Sequence, residues 1–455
     1  MNGWVKKRLG ISEMDSKSQS LATKYFFLSS TQIAQAQIVS TFLVLFLLDI
    51  ISFSELGILL AIQFGLTALL DYPTGALGDA IGHKKVLVIA YCFYALSIAF
   101  LLLANSFIEL LPFMFFTAIA ASQESGALRS WFDNNYRVTS GTFDNDRSVF
   151  GTFLGKMQAS FFLVSGTLFV VGGIIAAMYS RKALFIVQFL LVIIALGLIL
   201  VLMNNEQGVE TAKPTFQAYL DRLTGGIQFV GSSRGLFFFF LGIVTIGGVT
   251  LGIWYNLMLF PFYASYSGTD EYTGLLRSIL FVTGVFWMYT GANLSRKFKN
   301  PHRGLFLSLL MGNFVFFSLV YSFYQTFRPE DAFVLTSFIG VCILFQFLGL
   351  WVALRGPLQS RLMLELVPDK YRNAVYSLIP TLNVLFGIPL VILGGFTISQ
   401  YGFSAGLLLV VGFCLLGALF AAIGLYWLSR PKFIPLTPVE DSKPTMPESS
   451  TQTSG

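Results

Sequence analysis

The sequence predicts an all-α membrane protein with twelve transmembrane helices in two pseudo-symmetric six-helix bundles. Long apolar stretches alternate with short polar turns about twelve times between Lys24 and Trp427. Hydrophobic residues make up 55% of the 455 and charged residues only 11%, with a mean hydropathy of +0.72. Crossing the hydrocarbon core as a helix takes about 20 apolar residues. A chain that crosses repeatedly must satisfy its backbone hydrogen bonds within each segment, so helices are the natural solution.

Residues 1–24 are polar, carry Lys6, Lys7 and Arg8, and read as a cytoplasmic segment without the apolar core of a cleavable signal peptide. Six spans follow at 25–48, 54–77, 85–104, 108–134, 148–178 and 183–203, forming a first bundle over 25–203. The polar stretch 204–235 is the longest interruption and reads as a cytoplasmic central loop. Within it Phe216, Tyr219, Leu220, Leu223, Ile227 and Val230 recur at helical spacing, which predicts a short amphipathic helix. Spans at 236–261, 273–294, 305–325, 332–356, 373–397 and 404–428 form the second bundle, 236–428. The Pro-, Ser- and Thr-rich remainder, 429–455, reads as a disordered cytoplasmic tail.

Charge sets the orientation. With the N-terminus inside, Arg181, Lys182, Arg277 and Arg328 fall outside, and the other 25 of 29 Lys and Arg fall on or near the inner side. This positive-inside bias requires an even number of spans and puts both termini in the cytoplasm. It also accounts for the net charge of +6 without a nucleic-acid partner. Cys92, Cys342 and Cys414 lie in apolar stretches, with neither disulfide nor metal-ligand spacing. No cofactor is expected.

The halves carry similar short signals. Gly126-Ala-Leu-Arg-Ser near the end of the fourth span matches Gly356-Pro-Leu-Gln-Ser at the end of the tenth. Arg147-Ser-Val-Phe opens the fifth span and Arg372-Asn-Ala-Val the eleventh. Such repeats are a basis for alternating access around a central cavity.

The sharpest local signal joins the second and third spans, from Asp71 through Pro73, Gly75, Asp79, Gly82 and His83 to Lys84 and Lys85. Pro73 bends the helix, Gly75 admits a close neighbour and Gly82 permits the reversal. Asp79 sets a negative charge beside the bases, an element either of a gate or of an ordinary topology-setting turn. Gly75-x3-Asp79-x2-Gly82-His83-Lys84-Lys85 resembles the signature loop of the major facilitator superfamily, and the resemblance extends over essentially the whole chain. It departs in having Ala80 where the family pattern usually has a basic residue and His83 where it usually has Arg. In the second half the corresponding loop keeps Gly291 and basic character but has Ser295 for the acid. Pro73-Thr-Gly, Ser125-Gly-Ala and the run from Pro368 to Ser377 are similar to a largely prokaryotic group labelled permeases or efflux proteins. The resemblance implies a monomeric alternating-access transporter of small solutes in a prokaryotic cytoplasmic membrane. The Gly-Pro-x-x-Gly-Gly pattern of many proton–drug antiporters is absent from the fifth span, where Gly172-Gly173 comes too late.

Ionisable residues inside spans are costly and mark partners, cavities or interfaces. Glu124 lies roughly 16 Å from the inner end of the fourth span and Lys156 roughly 13 Å along the fifth, so the two can meet at similar depth. One reading makes them a coupling pair, with Glu124 lining the cavity and binding a proton, another cation or a cationic group of the substrate, and Lys156 balancing it. The other makes them a static packing network. Arg129 and Asp133 are spaced to pair along one helix. With Asp71, Gly75, Asp79, Gly82 and Lys84 they form the candidate inner gate. Asp49 reads as a solvent-exposed end cap or an entrance residue, and Arg355 as a topology charge, a snorkelling side chain or a group that reaches the cavity.

In the family the first, fourth, seventh and tenth spans line the cavity. The resemblance therefore implies substrate contacts at Gln35, Glu124, Asn256 and Gln346, with Trp254, Tyr255 and Trp351 adding aromatic surface. An aromatic, weakly polar cavity suits an amphipathic organic solute. The expected function is secondary transport of such a solute, with proton-coupled antiport ahead of symport or uniport. The competing classes are a membrane-embedded lipid enzyme and a non-transporting interaction protein. His83 and His302 have no ligand spacing, and no nucleophile elbow is present.

Overall fold

A computed structural model describes residues 3–124, 126–141, 143–144, 146–204, 216–329 and 333–430; the side chains of 71–80, 216–223, 369–370, 373 and 377 lie outside that description. Helix α1 (Gly3–Leu9) and a 3₁₀ turn at Ile11–Glu13 come first. Leu9, Ile11 and Met14 are buried, so the N-terminal segment packs onto the protein. Helix α2 (Ser16–Ser40) starts well before residue 25 because Asp15 caps it, its carboxylate accepting from the N–H groups of Lys17 and Ser18. Hydropathy marks where a helix enters the hydrocarbon and is blind to its polar extension.

The first half continues with α3 (Leu43–Leu48), α4 (Phe53–Ile81), α5 (His83–Leu103), α6 (Phe107–Glu124), α7 (Ala127–Ser140), α8 (Ser148–Met178) and α9 (Arg181–Leu202). Gly82, at φ 90°, makes the reversal between α4 and α5 that its place in the loop predicts. Gly126, at φ 73°, breaks the expected fourth span into α6 and α7. Helix α10 (Phe216–Gly231) is the expected helix of the central loop. Its Phe229 ring stacks on Tyr371 at 5.2 Å, and Val230 is buried while Ile227 is exposed.

The second half comprises α11 (Arg234–Val249), α12 (Leu259–Ser267), α13 (Asp270–Ser295), α14 (Pro301–Leu309), α15 (Phe316–Thr326), α16 (Leu335–Leu366), α17 (Asp369–Tyr401) and α18 (Phe403–Leu428). Wide π-helical turns at Thr250–Met258 and Leu310–Val315 join α11 to α12 and α14 to α15. Among the described residues, ten helical segments are long and apolar enough to span a membrane. The expected first and fourth spans are not among them. Both are interrupted, and both carry amides or acids such as Gln32, Gln35 and Glu124. The three cysteines are free.

The two most extensive contacts between the halves are α8 along α13 and α4 along α17. Each contains a glycine crossing. A Cβ at Gly57 would lie 2.6 Å from the Val391 carbonyl oxygen, and one at Gly173 would lie 2.7 Å from that of Asp270. Gly274 and Gly395 press equally closely onto the Phe169 and Phe53 carbonyls. Bare backbones touch at both crossings, as small residues permit between membrane helices. Gly172-Gly173 in α8 and Gly394-Gly395 in α17 are thus corresponding positions of the two halves.

Candidate functional site

Arg181, at the start of α9, clasps three elements. Its Nε and Nη2 donate to the Asp270 carboxylate at 2.9 and 2.8 Å, and its Nη1 donates to both Asp49 oxygens at 2.9 Å. Asp270 opens α13, immediately beside the Gly173 crossing, so one guanidinium ties both halves together at this end. Asp49 is therefore more than the end cap its position suggests. Sequence position gives each of these charges only as a span end; the spans they terminate had to be brought together first.

Further along the same helices the contact runs out. Phe162 still meets Phe281 at 5.2 Å, and Gly166 still faces Ser278 and Val282. Beyond them, a Cβ at Gly155, Gly65 or Gly284 meets nothing within 4 Å, and Leu69, Phe286 and Leu385 are exposed. The halves are pinned at the Arg181 end and part toward the other.

Glu124 ends α6, just before the Gly126 break, and is partly buried. Its Oε1 accepts from Gln32 Nε2 at 2.7 Å and from the Tyr91 hydroxyl at 3.0 Å, and its Oε2 accepts from the Tyr94 hydroxyl at 2.8 Å. Three neutral donors thus cage the carboxylate, on α2 and on one face of α5. The cage stands beside a small cavity of about 10 Å³ lined by Gln32, Tyr91, Leu28, Leu87 and Leu128. Lys156 is not part of it. Its ammonium lies 3.6 Å from Glu13 in the N-terminal turn. Equal depth along two helices did not decide azimuth, and the two side chains leave their helices in different directions. Tyr91 and Tyr94, spaced i,i+3 in an apolar helix, were the overlooked signal.

The expected gate residues separate. Gly82 makes the turn described above. Lys84 donates to the carbonyls of Leu200 at 3.0 Å and Met203 at 2.6 Å, so it closes the C-terminus of α9. Asp133 pairs with Arg137 at 3.1 Å and with Arg147, whereas the exposed Arg129 makes no ion pair among the described residues. Arg147 reaches Asp133 from the loop before α8, a partner that local helical spacing could not foresee. Asp71, Gly75 and Asp79 lie on α4 with side chains outside the described residues. Nearby, buried Asp144 anchors the start of α8 by accepting from the N–H of Val149 and Phe150 and from the Tyr136 hydroxyl. Burial, and then the bond to Asp144, push the Tyr136 phenol well above the usual tyrosine range.

The expected cavity residues also divide. Gln35 is buried and accepts from Gln188 of α9, so Gln32, one turn away, faces the Glu124 cage instead. Gln346 accepts from the Trp287 indole at 2.6 Å and donates to Thr283 at 3.0 Å, which commits it to joining α16 to α13. Trp351 packs against Phe347 and Gly312. Trp254 is buried among Phe262, Phe316, Phe317 and Phe345. Asn256 donates to the Leu251 carbonyl within the π-helical turn. Tyr255 differs: it is 46% exposed beside the buried Trp254. The wide turn supplies this rotation, and such turns concentrate at functional sites.

Two arginines lie within the spans of the second half, Arg277 on α13 and Arg355 on α16. Arg277 lies over the rings of Phe169, Phe260 and Phe281 at 5.1, 5.3 and 5.7 Å. Arg355 Nε donates weakly to Gln359 at 3.4 Å. The sequence reads Arg277 as a topology charge and Arg355 as a topology, snorkelling or cavity residue. A separate cavity of about 520 Å³ lies at the Arg181 end of the second half, between Ser265, Gln325, Arg328 and Ser337.

The sequence model of the Major Facilitator Superfamily matches residues 25–340. The chain belongs to this superfamily. Its fold is that of a secondary transporter, and the membership sets aside the lipid-enzyme alternative. No curated protein sequence matches the chain. Among solved structures, the nucleoside transporter NupG is similar with a TM-score of 0.70 at 13% identity, over 90% of this chain and 99% of that one. A bacterial homolog of the human lysosomal transporter Spinster, inward-facing and unoccupied, has a TM-score of 0.64 at 13% identity, over 90% and 98%. A transporter of the POT family in complex with a thioalcohol-conjugated peptide has 0.59 at 13%, over 92% and 98%. At these identities the likeness is one of fold.

Proposed function

We propose that this chain moves a small, amphipathic organic solute across the cytoplasmic membrane by alternating access. The reading counts α2 with α3 as the first span and α6 with α7 as the fourth, which makes twelve spans in two bundles. It places both termini in the cytoplasm, on the positive-inside bias. The Arg181 end is then the outer end, and the chain stands closed outside and open inside. The observation that carries the reading is the contrast between the two ends: glycine crossings and the Arg181 clasp at one, unpacked helices at the other. That the solved neighbours include a nucleoside transporter and a peptide complex favours an organic solute.

Glu124 is the proposed proton carrier. A carboxylate among neutral donors has no fixed countercharge, so a change in the cage alters its proton affinity directly. Lys156 drops out of the coupling pair in this proposal, and the Tyr91, Tyr94 and Gln32 donors replace it. Antiport leads the reading, because the general family resemblance favours it; symport shares the same carrier.

Reconstituted protein under an imposed pH gradient tests this. Glu124→Gln keeps the size and does not titrate; its oxygen still accepts, and its nitrogen donates to a tyrosine hydroxyl turned to accept. Gradient-driven accumulation is expected to stop while exchange at equal pH survives. Normal accumulation by the variant would make Glu124 structural. Indifference of the unmodified protein to both proton and sodium gradients would favour a uniporter.

A further inference from the structure

We infer that helix α1 lies on the bilayer surface beside α8 and binds the headgroups of anionic phospholipids. Naming the cytoplasmic leaflet as their source rests on the orientation proposed above; the contact itself does not. Helix α1 has two faces. Val5 and Leu9, one turn apart, pack onto the protein. Trp4, Lys7 and Arg8 are exposed, and the Arg8 guanidinium stands 5.0 Å over the Trp4 ring. No acid lies in the first turn of the helix, and no acid forms an ion pair with Lys6, Lys7 or Arg8 among the described residues; the ion pairs there engage other bases.

Where the segment rests points to its partner. Gly10, at φ 76°, brings the chain onto Lys156 of α8: a Cβ at Gly10 would lie 3.1 Å from the Lys156 Nζ. Glu13 closes the turn by pairing with that ammonium at 3.6 Å. Lys156 lies on a helical stripe that continues through Leu163, Thr167, Ile174 and Met178, all four of them exposed. The stripe runs on to the Arg181 end, where the halves are closed, so it faces lipid rather than a path between the halves. The other sides of α8 are occupied: Phe161 and Gly172 meet α2, and Gly166 and Gly173 meet α13. The N-terminal segment is thus fastened to the lipid edge of the first half, at the polar end of an acyl-facing stripe. A tryptophan among bases at this level suits the headgroup layer. Exposed bases beside a membrane helix attract anionic lipid, whose net charge a zwitterionic headgroup lacks.

Photo-cross-linking of the full chain in vesicles provides the test. Benzoylphenylalanine replaces Gly3, where a Cβ meets nothing within 4 Å. The vesicles hold phosphatidylglycerol and phosphatidylcholine in equal amounts in both leaflets. The same group in place of Thr167, on the lipid-facing stripe, samples the bulk mixture. Lipid adducts are counted by mass spectrometry. One surface base gives about a fivefold preference for anionic lipid, so the glycerol-to-choline adduct ratio at position 3 should exceed that at position 167 at least fivefold. Lys7→Gln with Arg8→Gln should bring the two ratios together, and Lys7→Arg with Arg8→Lys should keep them apart. An unchanged adduct yield at position 167 shows that each variant is inserted, so a loss at position 3 then supports the inference. Equal ratios in the unmodified chain overturn it, as does a preference that survives the glutamine pair. Adducts to protein instead of lipid at position 3 overturn it and assign the surface to a protein contact. Added glycerol phosphate, at matched ionic strength, should leave the ratio intact; a ratio that falls to the bulk value means a soluble anion site, and the lipid assignment is wrong.

Discussion

Gly173→Ala should selectively weaken the outward-closed arrangement. The added Cβ would lie 2.7 Å from the Asp270 carbonyl oxygen and 3.2 Å from the Cα atoms of Glu271 and Gly274, all of them backbone. No side chain can rotate away, so α8 and α13 must separate by roughly half an ångström in a close-packed contact. Overpacking of this kind costs about 1–3 kcal/mol. The helix-propensity gain of alanine over glycine, about 1 kcal/mol, applies in any state where α8 is helical and cancels between them. The remaining penalty falls on the closed state alone and shifts the state ratio about 5- to 150-fold. Asp270 is also the residue Arg181 holds, so the same displacement loosens the clasp. Spin labels at Tyr179 and Tyr401, both exposed and at the outer ends of α8 and α17, report the separation in a background lacking the three cysteines. Gly173→Ala should add a longer-distance population. Gly155→Ala, on the same helix with nothing within 4 Å, should not. A folded Gly173→Ala protein with an unchanged distance distribution would refute the claim that this crossing closes the outer end.

Other perturbations follow from the same contacts. Arg181→Gln removes charge-assisted bonds to Asp270 and Asp49 worth about 2 kcal/mol, and the same spin-label pair should report opening; Arg181→Lys should restore little, because an ammonium lacks the two-sided fork. Asp144→Ala leaves the Val149 and Phe150 N–H groups without their acceptor and should cost about 1–2 kcal/mol in thermal unfolding. Lys84→Met uncaps the Leu200 and Met203 carbonyls and should destabilise by about 1 kcal/mol. Because the folded-state pKa of Tyr136 is raised, its contribution is intact below the unfolded tyrosine value of about 10 and falls as pH rises above it. Tyr136→Phe should remove that alkaline component from a stability–pH titration.

The helices were largely legible in the sequence because apolar length is a strong requirement of the bilayer. Their polar extensions were not: Asp15 starts α2 and α16 runs to Leu366, both beyond any hydrophobic window. Axial depth was legible only in part: Glu124 lies well inside the expected fourth span, but the Gly126 break makes it the last residue of α6. Azimuth was not, and azimuth separates Lys156 from Glu124 and Gln35 from Gln32. The Arg181 clasp escaped because Asp49, Arg181 and Asp270 each look like a span end until the spans are assembled. Gly172-Gly173 was visible but was weighed only against an export motif; its counterpart Gly394-Gly395 shows its packing role.

The most direct test of alternating access is a reversible lock on the outer end. Cysteines in place of Asp49 and Asp270, which share Arg181 in the closed state, can be joined by a short bifunctional methanethiosulfonate reagent. Exchange of labelled metabolites across proteoliposomes is then followed before cross-linking, after it, and after reduction. The account predicts exchange that stops on cross-linking and returns on reduction. Exchange that continues unchanged through a verified cross-link would show that the outer end need not open, and alternating access at this site would be wrong.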